Sequence, residues 1–152
     1  MNYTCTRDSG VSVSASKAIL TGIPPDGGLF LPQSFPAFSL EDISAMAKLA
    51  YAGRAAMVMG RFLEDFSAEE LDRYTKAAYA EDRFGENTAP VVKLSDSAYI
   101  LELFHGPTSA FKDFALQILP YLLTASARKN GVNEDIVILV ATSGDTGKAA
   151  LE

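Results

Sequence analysis

The 152-residue sequence contains one cysteine, Cys5, and one histidine, His105. A lone thiol cannot close an internal disulfide or build a multi-cysteine metal site, and a lone imidazole cannot build a metal site by itself; no metal is expected. Such sparing use of cysteine fits a reducing compartment, so the expected localisation is cytoplasmic. Positive charge is also scarce. Thirteen Lys and Arg stand against nineteen Asp and Glu, a net charge of −6, which argues against nucleic acid and anionic membrane surfaces as partners. It leaves room for a small anionic substrate, because a single site can be locally positive. Long apolar runs are missing: residues 136–141 are among the longest and are far too short to cross a bilayer. The first residues show no apolar core behind a basic leader, hence no secretory signal. There is no internal repeat and no low-complexity segment.

What is present is a globular composition, 48% hydrophobic, with length for one ordinary domain or two small ones. Residues 2–6 and 11–13 alternate and carry β-branched side chains, predicting short strands around a turn. Ser14 or Ser16 caps a short helix over 15–20 that stops at Gly22. Asp26-Gly27-Gly28 is a turn signal with a structural role, followed by a strand over 29–31. Ser39 opens a helix that Gly53 interrupts, with 55–62 resuming it. Ser67 and Glu70 form a capping box for a helix that turns Leu71, Tyr74 and Ala78 inward and ends near Gly85. Strands are expected over 91–94 and 99–104, with a domain boundary at about residue 95. Beyond it the pattern becomes strand, loop, helix, strand, loop, helix. A helix over 111–128 should kink or break near Pro120, which lacks an N–H and crowds the carbonyl of Leu116. Residues 136–141 read as a strand buried on both faces of a parallel sheet, and Asp145 opens the next helix.

Lys112 is the residue that stability alone would not choose. It follows a Gly106-Pro107 break, in the first turn of the expected helix, where exposed N–H groups disfavour a cation. A site that disfavours the charged form suits a lysine that must act as a neutral amine. Leu103-Phe104-His105-Gly106-Pro107-Thr108, then Ala110-Phe111-Lys112-Asp113-Phe114-Ala115-Leu116-Gln117, resembles the pyridoxal-phosphate lysine motif of threonine synthases. Ala141-Thr142-Ser143-Gly144-Asp145-Thr146-Gly147 is a second match in the same order, and Pro25-Asp26-Gly27-Gly28-Leu29-Phe30 a third, less specific one.

The resemblance covers essentially the whole chain and implies the N-terminal portion of a fold-type II enzyme. The implied fold is α/β: a small α+β N-terminal domain (1–95), then the beginning of a parallel-sheet cofactor domain (96–152), in a chain that looks truncated. The implied reaction converts O-phospho-L-homoserine and water into L-threonine and phosphate. By the same resemblance Lys112 anchors pyridoxal 5′-phosphate and moves protons on the substrate, with Phe111 and Asp145 beside the cofactor. Thr142, Ser143, Gly144 and Thr146 hold the substrate carboxylate at a helix start that follows a buried strand. Asp145 stands where related loops carry Asn, and an ionised Asp cannot donate to a phenolate. Asp113 reads as a helix-dipole partner, Thr108 and Ser109 as helix caps, and His105 as loop packing or a substrate contact.

Two other classes share features with this sequence. Gly144-Asp145-Thr146-Gly147-Lys148 superficially resembles a nucleotide phosphate loop. That loop needs four residues between its glycines and Ser or Thr after its lysine, whereas here there are two, then Ala149. A non-catalytic fragment of a related phospho-lyase is the alternative; such a fragment would be inactive alone and would self-associate through uncovered sheet surface.

Overall fold

The computed structural model describes residues 1–152. β1 (Asn2–Cys5) pairs antiparallel with β2 (Val13–Ser14) and, on its other side, with β3 (Phe30–Pro32), giving a three-stranded sheet in the order β2-β1-β3. Between β2 and β3 lies α1 (Ala15–Thr21), whose N-cap is Ser14; its hydroxyl accepts from the Lys17 N–H. The expected 26–28 turn closes beneath this sheet. The Cys5 thiol donates to Asp26, Arg7 donates to the Asp26 carbonyl, and a Cβ on Gly28 would meet Cys5 Sγ at 2.5 Å. Its role is therefore structural, as the sequence suggested.

Four helices follow: α2 (Leu40–Met46), α3 (Tyr51–Phe62), α4 (Ala68–Ala78) and the single turn α5 (Glu81–Phe84). Ser39 and Ser67 both sit in complete capping boxes, with Asp42 and Glu70 as the reciprocal acids. The break between α2 and α3 falls at residues 47–50 rather than at Gly53, which lies inside α3. A Cβ at Gly53 would press on Leu49 at 3.3 Å, so this glycine admits the connection that folds back on the helix. α4 stops at Ala78, earlier than expected, and Gly85 (φ 72°) ends α5 instead.

Leu71, Tyr74 and Ala78 of α4 face the interior as their 3-4 spacing dictates, beside Phe84, Leu63 and Phe66. Burying a side chain such as Leu71 or Phe84 contributes about 2 kcal/mol. The same core receives Ile118, Leu122 and Ala125, so it draws on both sides of residue 95. These three belong to α7 (Leu119–Lys129) or its N-cap. α7 lies along α1, where Ala15, Ala18, Ala125 and Ser126 are all buried and small enough for close approach.

The helix expected over 111–128 is two helices, α6 (Asp113–Leu116) and α7, with Pro120 in the first turn of the second, where its missing N–H has no partner to lose. The expected strands over 91–94 and 99–104 are a shorter antiparallel ribbon, β4 (Val91–Lys93) with β5 (Tyr99–Leu101). No parallel pairing occurs: both sheets are antiparallel. Residues 136–141 form no strand and are exposed, with Leu139 91% accessible. A strand exists only through hydrogen bonds to a neighbour, and this segment has none. The last element is α8 (Asp145–Leu151), beginning where the sequence placed it.

Candidate active site

Lys112 is the N-cap of α6, one residue outside the helix the sequence put it in. α6 has only four residues, so its dipole acts only weakly on Lys112. Its ammonium lies 4.5 Å from the centre of the Phe111 ring and enters none of the six ion pairs. Phe111 itself is 61% exposed. A partly accessible amine with no carboxylate bound to it is free to condense with a carbonyl. The flat aromatic face beside it suits a planar ring.

Asp113 is the acid in the first turn of α6, as expected. It is wholly buried, and its carboxylate accepts from both the N–H (2.9 Å) and the hydroxyl (2.7 Å) of Thr108. Beyond that place in the first turn, it is a staple across the loop, which the sequence reading did not include. Thr108 is spent on that staple, and α6 has no side-chain cap at all, so the expected caps by Thr108 and Ser109 do not form. Ser109 instead adopts φ 58°, the left-handed region. Gly106 closes the unit: a Cβ there would lie 2.6 Å from the Asp113 Cβ. The sequence shows only an acid five residues after a threonine that itself follows a Gly-Pro pair. Helix rules alone do not reveal the staple, because it runs between a loop and a side chain.

His105 packs on Phe104 (ring centres 4.7 Å apart), and its Nε2 lies 2.7 Å from a Glu102 oxygen. It makes loop contacts, as the sequence suggested.

Thr142, Ser143, Gly144 and Asp145 are exposed, and Thr146 is half-buried. Gly144 (φ 147°) is the N-cap of α8 and Asp145 its first residue, so Asp145 is not the cap. The Thr142 hydroxyl accepts from the N–H groups of Gly144 (3.2 Å) and Gly147 (2.9 Å), folding the loop over the start of the helix. A Cβ at Gly147 would meet that hydroxyl oxygen at 2.8 Å. α8 rests against α6 through buried Ala149, and Lys148 Nζ stands 3.5 Å from the Thr108 carbonyl. The two loops singled out in the sequence are thus joined through Thr108.

Behind Lys112, the Tyr79 hydroxyl donates to the Phe114 carbonyl and Arg83 donates to Gln117. Phe114 also packs on Tyr51, Tyr79 and Phe84. The helical core thereby holds α6 from the side opposite the loop.

Comparison with known proteins places this arrangement. Residues 2–79 match a family model described as "Threonine synthase N terminus". Threonine synthase of Methylobacillus glycogenes is 40% identical over 99% of the chain and 33% of its own length. Human threonine synthase-like 1 is 39% identical over 90% of the chain and 18% of its own. Among solved structures, PLP-bound threonine synthase from Brucella melitensis superposes with a TM-score of 0.89 at 38% identity, covering 99% of this chain and 32% of that one. Yeast threonine synthase gives 0.87 at 34%, covering 99% and 32%. The chain spans about a third of the length of the threonine synthases it matches. It belongs to the threonine synthase family, whose N-terminal region it spans.

Proposed function

We propose that this chain supplies the N-terminal third of a cytoplasmic, PLP-dependent threonine synthase of fold type II, acting on O-phospho-L-homoserine and water to give L-threonine and phosphate. The observation that carries the reading is Lys112: an amine without an anionic partner, against an exposed aromatic face, on a loop fastened by a buried carboxylate. These residues fit pyridoxal 5′-phosphate, since Lys112 offers the nucleophile for its aldehyde and Phe111 a flat apolar contact. When bound, that cofactor supplies the electron sink that stabilises carbanions next to the substrate nitrogen.

The protein's own part is orientation and proton movement. Lys112 would hold the cofactor through its amine, and that amine, when free, would take and return protons at the substrate's α and β carbons. Thr142, Ser143, Gly144 and Thr146 receive the substrate carboxylate. The exposed start of α8 supports this, since N–H groups there have no partner within the helix. Asp145, at the first position of α8, would contribute to holding the cofactor. In this reading the chain divides at about residue 95 into a supporting region and the beginning of the cofactor domain, and residues 136–141 become a strand of a parallel sheet once neighbouring strands lie beside them.

A second reading is a related phospho-lyase of the same family, left open because the match spans only about a third of the threonine synthases' length. Products separate the two. Threonine and phosphate from O-phosphohomoserine support the first, and a keto acid with ammonia the second. Lys112→Ala should abolish either activity in the enzyme containing this chain while leaving its fold intact. Retained turnover by that variant refutes the assignment.

A further inference from the structure

We propose that Asp113 is a positioning residue for Lys112, its carboxylate clamping the loop from Gly106 to Ala110 and so fixing the backbone from which the amine emerges. The inference rests on Lys112 being the cofactor's anchor. Asp113 is fully buried, and a buried carboxylate is costly unless hydrogen-bonded. Both compensating bonds come from one residue, Thr108, four positions before Lys112. The loop between them carries the cost of a non-glycine residue, Ser109, at φ 58°. Only glycine fits at position 106 against the Asp113 side chain.

On the other flank, the Asp113 N–H donates to the Ala110 carbonyl at 3.0 Å, and the Leu116 N–H to the Lys112 carbonyl at 2.9 Å. Lys112 is therefore fixed on both sides, by the clamp before it and by α6 after it. Lys148 reaches the carbonyl of the same Thr108, so the clamp also sets the first loop against the helix that carries the second. An apolar residue of similar volume would serve packing as well as, or better than, a buried charge. A carboxylate in this place is explained by the geometry it imposes on its neighbour.

The test uses pyridoxal phosphate on the full chain. Borohydride trapping and peptide mapping give the ratio of label on Lys112 to label on Lys17, Lys48, Lys76, Lys93, Lys129 and Lys148, while hydrogen exchange follows the Thr108 amide. The native chain should label Lys112 preferentially. Asp113→Asn should lower that ratio by about tenfold, the scale on which small misplacements of a reacting group are felt, and should speed exchange at Thr108. Thr108→Ser keeps the hydroxyl and should keep the ratio within about twofold; Thr108→Val, which loses only the hydroxyl, should lower it. If Asp113→Asn fails to fold, Thr108→Val decides. An unchanged ratio in a folded Asp113→Asn chain, or in Thr108→Val when that variant must decide, overturns the clamp. A native chain with no preference for Lys112 overturns the anchor reading itself, and the clamp with it.

Discussion

The hydroxyl of Tyr79, at the end of α4, donates a 2.8 Å hydrogen bond to the main-chain carbonyl of Phe114, two residues beyond Lys112. Burial, and secondarily the neighbouring Tyr51, pushes this phenol well above its ordinary value, so it remains a donor through neutral and mildly alkaline pH. Tyr79→Phe should cost about 1 kcal/mol in denaturant unfolding. The unfolded chain ionises its tyrosines near pH ~10, whereas folded Tyr79 resists. The folded state then binds more protons, and stability falls as pH rises past the ordinary tyrosine range. Alkaline unfolding curves should be shallower for Tyr79→Phe; identical curves would show that this bond does not set the alkaline limit.

At the acid end the sign reverses. Lys129, then the Ser67 N–H, holds Glu70 below its usual value; the Cys5 thiol, then the Gly28 N–H, does the same for Asp26. Burial raises Asp65, but the hydroxyl and N–H of Ser16, with the Asp65 and Ser14 contributions, outweigh it and the net shift is down. Each carboxylate stays ionised in the folded chain at a pH where the unfolded chain protonates. Their stabilisation is present above the ordinary carboxylate range and is lost as pH falls below it. Glu70→Gln should flatten that loss in acid titrations followed by circular dichroism, and an unchanged slope would remove Glu70 from the account.

Gly106→Ala should destabilise by about 1–3 kcal/mol, the range for forcing extra volume into a packed site. Asp113→Ala removes the obstacle but strands the Thr108 donors. The two changes together should therefore cost less than their sum by about 0.5–3 kcal/mol, as for residues in contact. Strict additivity would show that the Asp113 side chain does not pack against position 106 in solution.

Ile136, Val137, Ile138, Leu139 and Val140 are all exposed. A contiguous apolar run of this kind predicts concentration-dependent association. Sedimentation of the 152-residue chain should show it, and Leu139→Asp should shift the distribution toward monomer. A native chain that sediments as monomer at every concentration would contradict this.

The elements read correctly from the sequence are those whose causes are local. Ser39, Ser67 and Gly22 act through neighbours within a turn, and Pro120 breaks its helix through its own ring. Elements that depend on distant partners are not legible in this way. Residues 136–141 have the composition of a buried strand, yet pairing belongs to two segments and not to one. Gly53 has an interrupter's composition, but its place inside α3 is set by Leu49 packing against it. At the candidate site, Lys112 stood out by its position and by the motif around it. The burial of Asp113 did not, because nothing in a linear pattern separates a solvated acid from one enclosed by a loop.

The packing of α1 on α7 also bears on synthesis. Ser16 meets Asn130 across 114 positions of chain. A ribosome adding roughly 5–20 residues per second needs on the order of ten seconds to deliver α7 after α1 has been made. Throughout that interval the small-residue face of α1 waits without its partner. Within residues 1–152, α1 is secured only after α7 has emerged, long after its own synthesis.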